Sequence, residues 1–294
     1  MKKLIVLPLV LGLLTACTAG TANITVPAAE SRAVRQNEEE KEAPCYYTVD
    51  MVVWTDSAQA EDGTPLAECR YQLPELTARR SDGTPVLEAG TEAEARALEI
   101  AGAFNGRFEE WVSAREFQEL TDMAREDLKW RREEGVDWFG PYALGLTSSA
   151  YQTEHLVSVT ATYYSSTGGA HPNTACLGWN FDLTSGTFFD LNILAEDGAA
   201  FSAEVREELL RQARAVAAEN GLPPEEFFWA DYENIIAGWT SYAVSFDETG
   251  MTVAFSPYEL AAYAAGPQIF HLSYDWLESR FSGFGREVLG LAAG

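Results

Sequence analysis

Histidine is scarce in this 294-residue chain, at three residues, and cysteine is held to four, with no CxxC pair among them. The spacings of Cys17, Cys45, Cys69 and Cys176 and the dispersion of His155, His171 and His271 exclude the closely spaced ligand sets of a zinc site, so no metal is expected. Positive charge is also short. Lys and Arg number 20 against 45 Asp and Glu, a formal net charge of −25. Nucleic acid is excluded as a partner, because phosphate binding needs the opposite sign, and an anionic membrane surface repels such a body. A cationic protein, by contrast, is attracted and steered. The apolar run at residues 4–14 is too short to span a bilayer. There is no GxSxG nucleophile elbow, and the one glycine-rich turn lacks the following lysine and helix of a phosphate loop. No cofactor is expected.

What is present begins with Lys2 and Lys3, an apolar stretch, and then Leu14-Thr15-Ala16-Cys17. Basic residues followed by a short apolar run read as a secretory leader. The segment resembles a lipobox, in which cleavage precedes a cysteine that carries the lipids. On that reading residues 1–16 are a lipoprotein signal peptide and Cys17 is the lipidated first residue of an extracytoplasmic protein. The acyl chains then hold it to the membrane by apolar burial. Residues 17–44 are rich in Ala, Thr and Glu with no sustained apolar period, the pattern of a flexible tether. Its r.m.s. reach is on the order of 30 Å.

At 47% hydrophobic and 12% aromatic residues, the rest of the chain can bury a large core. Residues 45–140 read as a strand-and-helix module. Strands at residues 46–55 and 66–73 flank the turn residues Asp62-Gly63-Thr64-Pro65. A capping box, Thr91-Glu92-Ala93-Glu94, opens a long helix with Leu98, Ala101, Phe104, Phe108 and Trp111 at helical spacing. Asn105-Gly106 predicts a kink and Gly135 its end. Cys45 and Cys69 flank the two strands and are the candidate disulfide, which leaves Cys176 a buried thiol.

Residues 150–280 read as a second module, with residues 281–294 as a tail. Residues 154–164 alternate as a strand with one buried and one wet face, and residues 174–183 return beside it. A helix over residues 201–216 ends at Asn220-Gly221, and residues 224–237 predict another with Pro224 in its first turn. Tyr242, Val244 and Phe246, the turn at residues 247–250, and Met251, Val253 and Phe255 form a hairpin. A last strand lies at residues 268–273. Grouped rather than alternating elements give an α+β fold, antiparallel sheets packed with helices in two adjacent modules.

Two motifs carry a specific resemblance. Thr167-Gly168-Gly169-Ala170-His171-Pro172-Asn173 precedes Asn180-Phe181-Asp182-Leu183-Thr184-Ser185-Gly186, and Phe255-Ser256-Pro257-Tyr258-Glu259-Leu260-Ala261-Ala262-Tyr263-Ala264-Ala265-Gly266 follows. In order and separation they are similar to the extracytoplasmic domain of unknown function shared by RsiV-type anti-sigma factors and PdaC-type peptidoglycan deacetylases. Ala262 stands where that family often has proline, and residues 190–194 match its acidic, leucine-rich stretch only loosely. The resemblance implies binding at the cell envelope, of a cell-wall glycan or of a cationic protein such as lysozyme. No segment reads as a sigma-binding, membrane-spanning or deacetylase domain, so the expectation is this module alone on a lipid anchor, without an enzymatic role.

The candidate binding residues are Gly168, Gly169, His171, Asn173, Pro257 and Tyr258. Gly168-Gly169 opens backbone angles closed to other residues, and Pro172 pushes His171 toward an extended conformation. His171 and Asn173 are then either hydrogen-bonding groups on an exposed ligand surface or parts of a fixed turn whose imidazole bonds nearby backbone. Tyr258 is either an interface anchor or the cover of the sheet. The catalytic alternative, a cell-wall hydrolase or deacetylase, would need a nucleophile such as Ser165 or Ser166 near His171, or a carboxylate pair among Glu154, Asp182 and Asp190. A structural or assembly lipoprotein is the remaining alternative.

Overall fold

A computed structural model describes residues 44–291 apart from residues 113, 137 and 138. The predicted signal peptide, Cys17 and almost all of the tether lie outside the described residues. The fold is α+β, built on a six-stranded sheet and a three-stranded antiparallel sheet. Among the described residues no helix is long and apolar enough to cross a membrane.

The first sheet opens with β1 (Tyr46–Gln59) and β2 (Pro65–Arg79), paired antiparallel from Tyr46↔Arg79 to Gln59↔Pro65. Between them Gly63 takes a positive φ, and the Asp62 carboxylate accepts from the Thr64 N–H at 3.0 Å, the usual chemistry of an Asx turn. The hairpin is as predicted, but its register corrects the disulfide. Cys69 sits opposite Asp56, while Cys45 lies beyond the Tyr46↔Arg79 pair at the other end. At about 3.3 Å per residue the two cysteines are on the order of 30 Å apart along the ribbon, far outside bridging distance. Cys69 is buried, and its thiol points to the Asp56 carbonyl at 3.8 Å.

Thr91 caps α1 (Glu92–Glu109), its hydroxyl accepting from the Glu94 N–H at 3.2 Å. The buried stripe of α1, including Ile100, Phe104 and Phe108, contributes to the core over the sheet. Asn105 does not kink the helix as the sequence suggests. Its side-chain amide grips β2 instead, accepting from Leu76 N at 2.8 Å and donating to Leu76 O at 3.0 Å, and the break before α2 (Ala114–Glu133) comes at Glu110–Val112. These two helices form the crossover to β3 (Tyr142–Gln152), which pairs parallel to β2, as parallel neighbours require a long connection. The strands β4 (Leu156–Ser166), β5 (Asn173–Asp182) and β6 (Thr187–Phe188) complete the sheet in sequential order.

The second core gathers around α3 (Gly198–Glu219), whose Phe201, Val205, Leu209 and Ala213 are buried. The helix predicted over residues 224–237 divides into α4 (Pro224–Phe227) and α5 (Tyr232–Ala237), because the Trp229 N–H between them leaves the helical ladder to donate to Leu260 O at 2.8 Å. The second sheet is β7 (Val244–Phe246), β8 (Gly250–Phe255) and β9 (Gln268–Ser273) in antiparallel order. After α6 (Tyr274–Leu277), α7 (Gly283–Val288) carries Val288 and Leu289 into the same core.

The two sheets meet where β7 packs on β5, and this contact buries one position of the expected wet face of β4, whose Thr160, Thr162 and Tyr164 are exposed as predicted. Ser158 is only 1% exposed. Its hydroxyl donates to Asn180 Oδ1 at 2.8 Å and accepts from the Phe246 N–H at 2.7 Å, while Asn180 Nδ2 donates to Val244 O at 3.1 Å. Beside this clamp, Gly178 admits the backbone of β7: a Cβ there would lie 2.2 Å from Val244 O. Because that neighbour is main chain rather than a mobile side chain, Gly178→Ala should cost about 3 kcal/mol, as overpacking of a rigid contact does. Chemical denaturation of the variant against the parent chain measures this, and an unchanged midpoint would contradict the close approach.

Candidate functional site

The loop between β4 and β5 turns at Gly168, which has φ of +79°, and delivers His171 to the surface at the head of β5. Beyond its short pairing with β6, this edge of β5 pairs with no strand among the described residues, and the segment after β8 docks there. The Ser256 hydroxyl accepts from the Cys176 N–H at 3.0 Å. Glu259 folds its carboxylate back onto the Ser256 N–H, closing a turn that the Glu259 N–H also joins by donating to Ser256 O at 3.0 Å. On its other side the turn is fastened by Trp229, whose Nε1–H donates to Tyr258 O at 2.9 Å.

Within this turn Tyr258 is held at φ of +73°, a left-handed backbone that costs an aromatic residue on the order of 1 kcal/mol or more. The result is a ring aimed at the other motif. The Tyr258 hydroxyl and His171 Nε2 share a hydrogen bond of 2.7 Å, its donor set by the imidazole tautomer. Tyr263 stacks on the same imidazole, its ring 4.2 Å from that of His171 at an interplanar angle of 13°, and lies 5.6 Å from the Tyr258 ring. His171 is exposed, Tyr258 is 49% exposed, and Tyr263 is half-buried. Two segments 87 residues apart at their point of contact therefore build one surface.

His171 and Tyr258 meet, whereas the other predicted site residues support or flank them. Gly168 and Gly169 shape the loop, half-buried Pro257 leads into Tyr258, and Asn173 opens β5 opposite Ser165 with no side-chain hydrogen bond among the described residues. The imidazole bonds a distant side chain rather than nearby backbone. Sequence reasoning passed over Tyr263, Ser256 and Glu259, although all three stand inside the second motif. Neither Ser165 nor Ser166 hydrogen-bonds His171 among the described residues, and buried Asp182 caps the Thr184 N–H at 2.8 Å. No group of three or more His, Cys, Asp or Glu side chains is arranged around a metal position among the described residues.

Partial burial dominates the proton affinities beside this surface, at half-buried Cys176 and at Tyr242, which is 39% exposed. It pushes the Cys176 thiol up, with Glu259 adding to the effect, and it pushes Tyr242 well above the usual tyrosine value, again with help from Glu259.

Residues 192–275 match the family model described as a protein of unknown function (DUF3298). The DUF3298 segment runs from ahead of α3 into α6 and contains the second motif with Tyr258; the first motif, with His171, lies before it. Solved DUF3298 structures extend the likeness over both cores. A member from Bacteroides fragilis NCTC 9343 is 14% identical, with a TM-score of 0.57 over 82% of this chain and 96% of that one. A DUF3298 protein from Pseudomonas aeruginosa PAO1 is also 14% identical, with a TM-score of 0.51 over 80% of this chain and 94% of that one. At such identity the likeness is one of fold. No curated protein sequence matches the chain.

Tyr71, Tyr163 and Tyr274 share the upward shift of Tyr242, with burial the largest cause in each. The folded state thus keeps protons that the unfolded chain releases near the ordinary value of 10.0. Their stabilising contribution is fully present below that pH and lost as the pH rises above it. The urea midpoint should therefore fall as the pH rises above about 10, and a flat profile there would contradict the raised proton affinity of these phenols.

Proposed function

We propose that the chain is a lipid-anchored, extracytoplasmic binding or sensing protein of the bacterial cell envelope. Its recognition surface is the cluster of His171, Tyr258 and Tyr263, and its ligand is a cell-wall component or a cationic protein such as lysozyme. The observation that carries this reading is the meeting of the two motifs on the outside of the molecule, with Tyr258 in a left-handed backbone at the point of contact. Backbone strain of this kind persists where surrounding structure enforces it and is concentrated at ligand-contacting positions. A half-exposed tyrosine, with an apolar ring and a polar tip, is also the side chain most suited to anchoring an interface.

The lipobox-like segment ending at Cys17 supports the anchor, and the net charge of −25 supports steering of a cationic partner. On this reading the protein grips its ligand and does not transform it. The resemblance to RsiV-type and PdaC-type domains points the same way, towards the envelope.

Binding of the purified whole chain to lysozyme and to soluble muropeptides, measured in low salt, tests the proposal. Tyr258→Ala should weaken the productive association by about tenfold or more, as loss of a central tyrosine does, and the on-rate for lysozyme should fall steeply with added salt. Absence of association with both ligands would overturn the reading, and a salt-insensitive on-rate would remove the steering argument. Mass spectrometry of the N-terminal peptide should find acyl chains on Cys17.

A further inference from the structure

Next to the motif surface, on the far side of Tyr242, the joint between the sheets leaves a cleft of about 450 Å³. That volume is within the range of small-ligand sites. One wall is aromatic. Trp179 is held edge-on by Phe108, with ring centres 5.3 Å apart, and by Trp111 at 6.2 Å, and Phe188 continues the wall beside it. The opposite wall is the backbone around Tyr242, where Ser241 and Ala243 have φ of +57° and +50°. With Tyr258, these are the non-glycine residues of positive φ among the described residues, and all three border this part of the molecule.

Over the mouth lies Arg107, on the exposed side of α1, with its guanidinium carbon 5.8 Å from the centre of the Phe188 ring. Nine other arginines are tied to carboxylates within 4.0 Å. Arg107 has neither an ion pair nor a hydrogen bond among the described residues, although acidic side chains outnumber basic ones 45 to 20. The nearby Glu116 is engaged by the Tyr163 hydroxyl at 2.6 Å. A guanidinium oriented by a ring face keeps its planar fork of donors available for a carboxylate. Asp190, also lining the cleft, adds an acceptor for hydroxyl groups.

We infer that this cleft binds an acidic saccharide: a sugar ring laid against Trp179, its carboxylate on Arg107 and a hydroxyl on Asp190. The stacking wall suits the apolar face of a sugar ring, the cation selects the acid in a molecule whose overall field repels anions, and the strained backbone opposite fixes the width. This site is separate from the proposed macromolecular surface at Tyr258, and it does not depend on that reading.

Calorimetry on the whole chain with N-acetylmuramic acid, glucuronic acid and the neutral N-acetylglucosamine as probes tests the inference. At least one acidic sugar should bind about tenfold or more tightly than the neutral one, as a charge-assisted bidentate contact provides. A preference for the muramic or the uronic acid names the source of the carboxylate. Arg107→Gln, an exposed substitution, should abolish the preference for acid, and Trp179→Phe, which keeps an aromatic wall, should weaken acidic and neutral sugars alike. Equal binding of acidic and neutral sugars, no binding of any, or an acid preference that survives Arg107→Gln would overturn it. Failure here leaves lysozyme and muropeptide association in the parent chain unaffected, whereas failure of that association leaves the sugar titrations unaffected.

Discussion

The approach of β7 to β5 is the constraint on which the rest of the molecule depends. Two sheets can come this close only where one of them has no side chain, and Gly178 supplies the gap into which the Val244 carbonyl fits. Close approach of main chain to main chain would strand buried polar groups. Ser158 and Asn180 prevent that, each using its side chain to satisfy the edge of β7. Among the described residues no buried side-chain nitrogen or oxygen lacks a partner. A half-satisfied network at this position would be worse than an apolar one, so the steric gap and the polar clamp work only together.

Much of the fold was legible because short-range signals agree with the final structure. The Asp62-Gly63 turn defines the first hairpin, Thr91 and Glu94 mark the start of α1, and Asn220-Gly221 ends α3. Alternation over Val244 to Phe255 yields β7 and β8. What was not legible depends on distant partners. β3 was missed because Gly145 and the small polar pair Ser148-Ser149 dilute its alternation of Tyr142, Leu144 and Leu146, and its place beside β2 is set by a parallel pairing across two helices. Ser158 reads as solvent-facing by period and is buried by a second sheet. The cysteines flank the right strands, yet an antiparallel register sends them to opposite ends.

The candidate site divides the same way. Each motif is visible as a string, and Gly168 and Pro172 announce a shaped loop without revealing what it faces. That His171 and Tyr258 meet depends on Ser256 bonding the open edge of β5, a contact spanning 80 residues. Local chemistry chooses the conformation of each loop, and tertiary packing chooses their neighbour. Tyr263 illustrates the cost of reading strings alone: it lies inside the second motif, but only its stacking on His171 distinguishes it from an ordinary aromatic of the core.

The docking of the Ser256 turn on β5 also makes the exposed aromatic cluster a composite, half supplied by each hydrophobic core. Neither half holds the other's ring in position on its own. Any loosening between the cores, even one that leaves both interiors packed, would dissolve the cluster before either core melts. The outer face of the molecule is thereby a gauge of its own internal assembly.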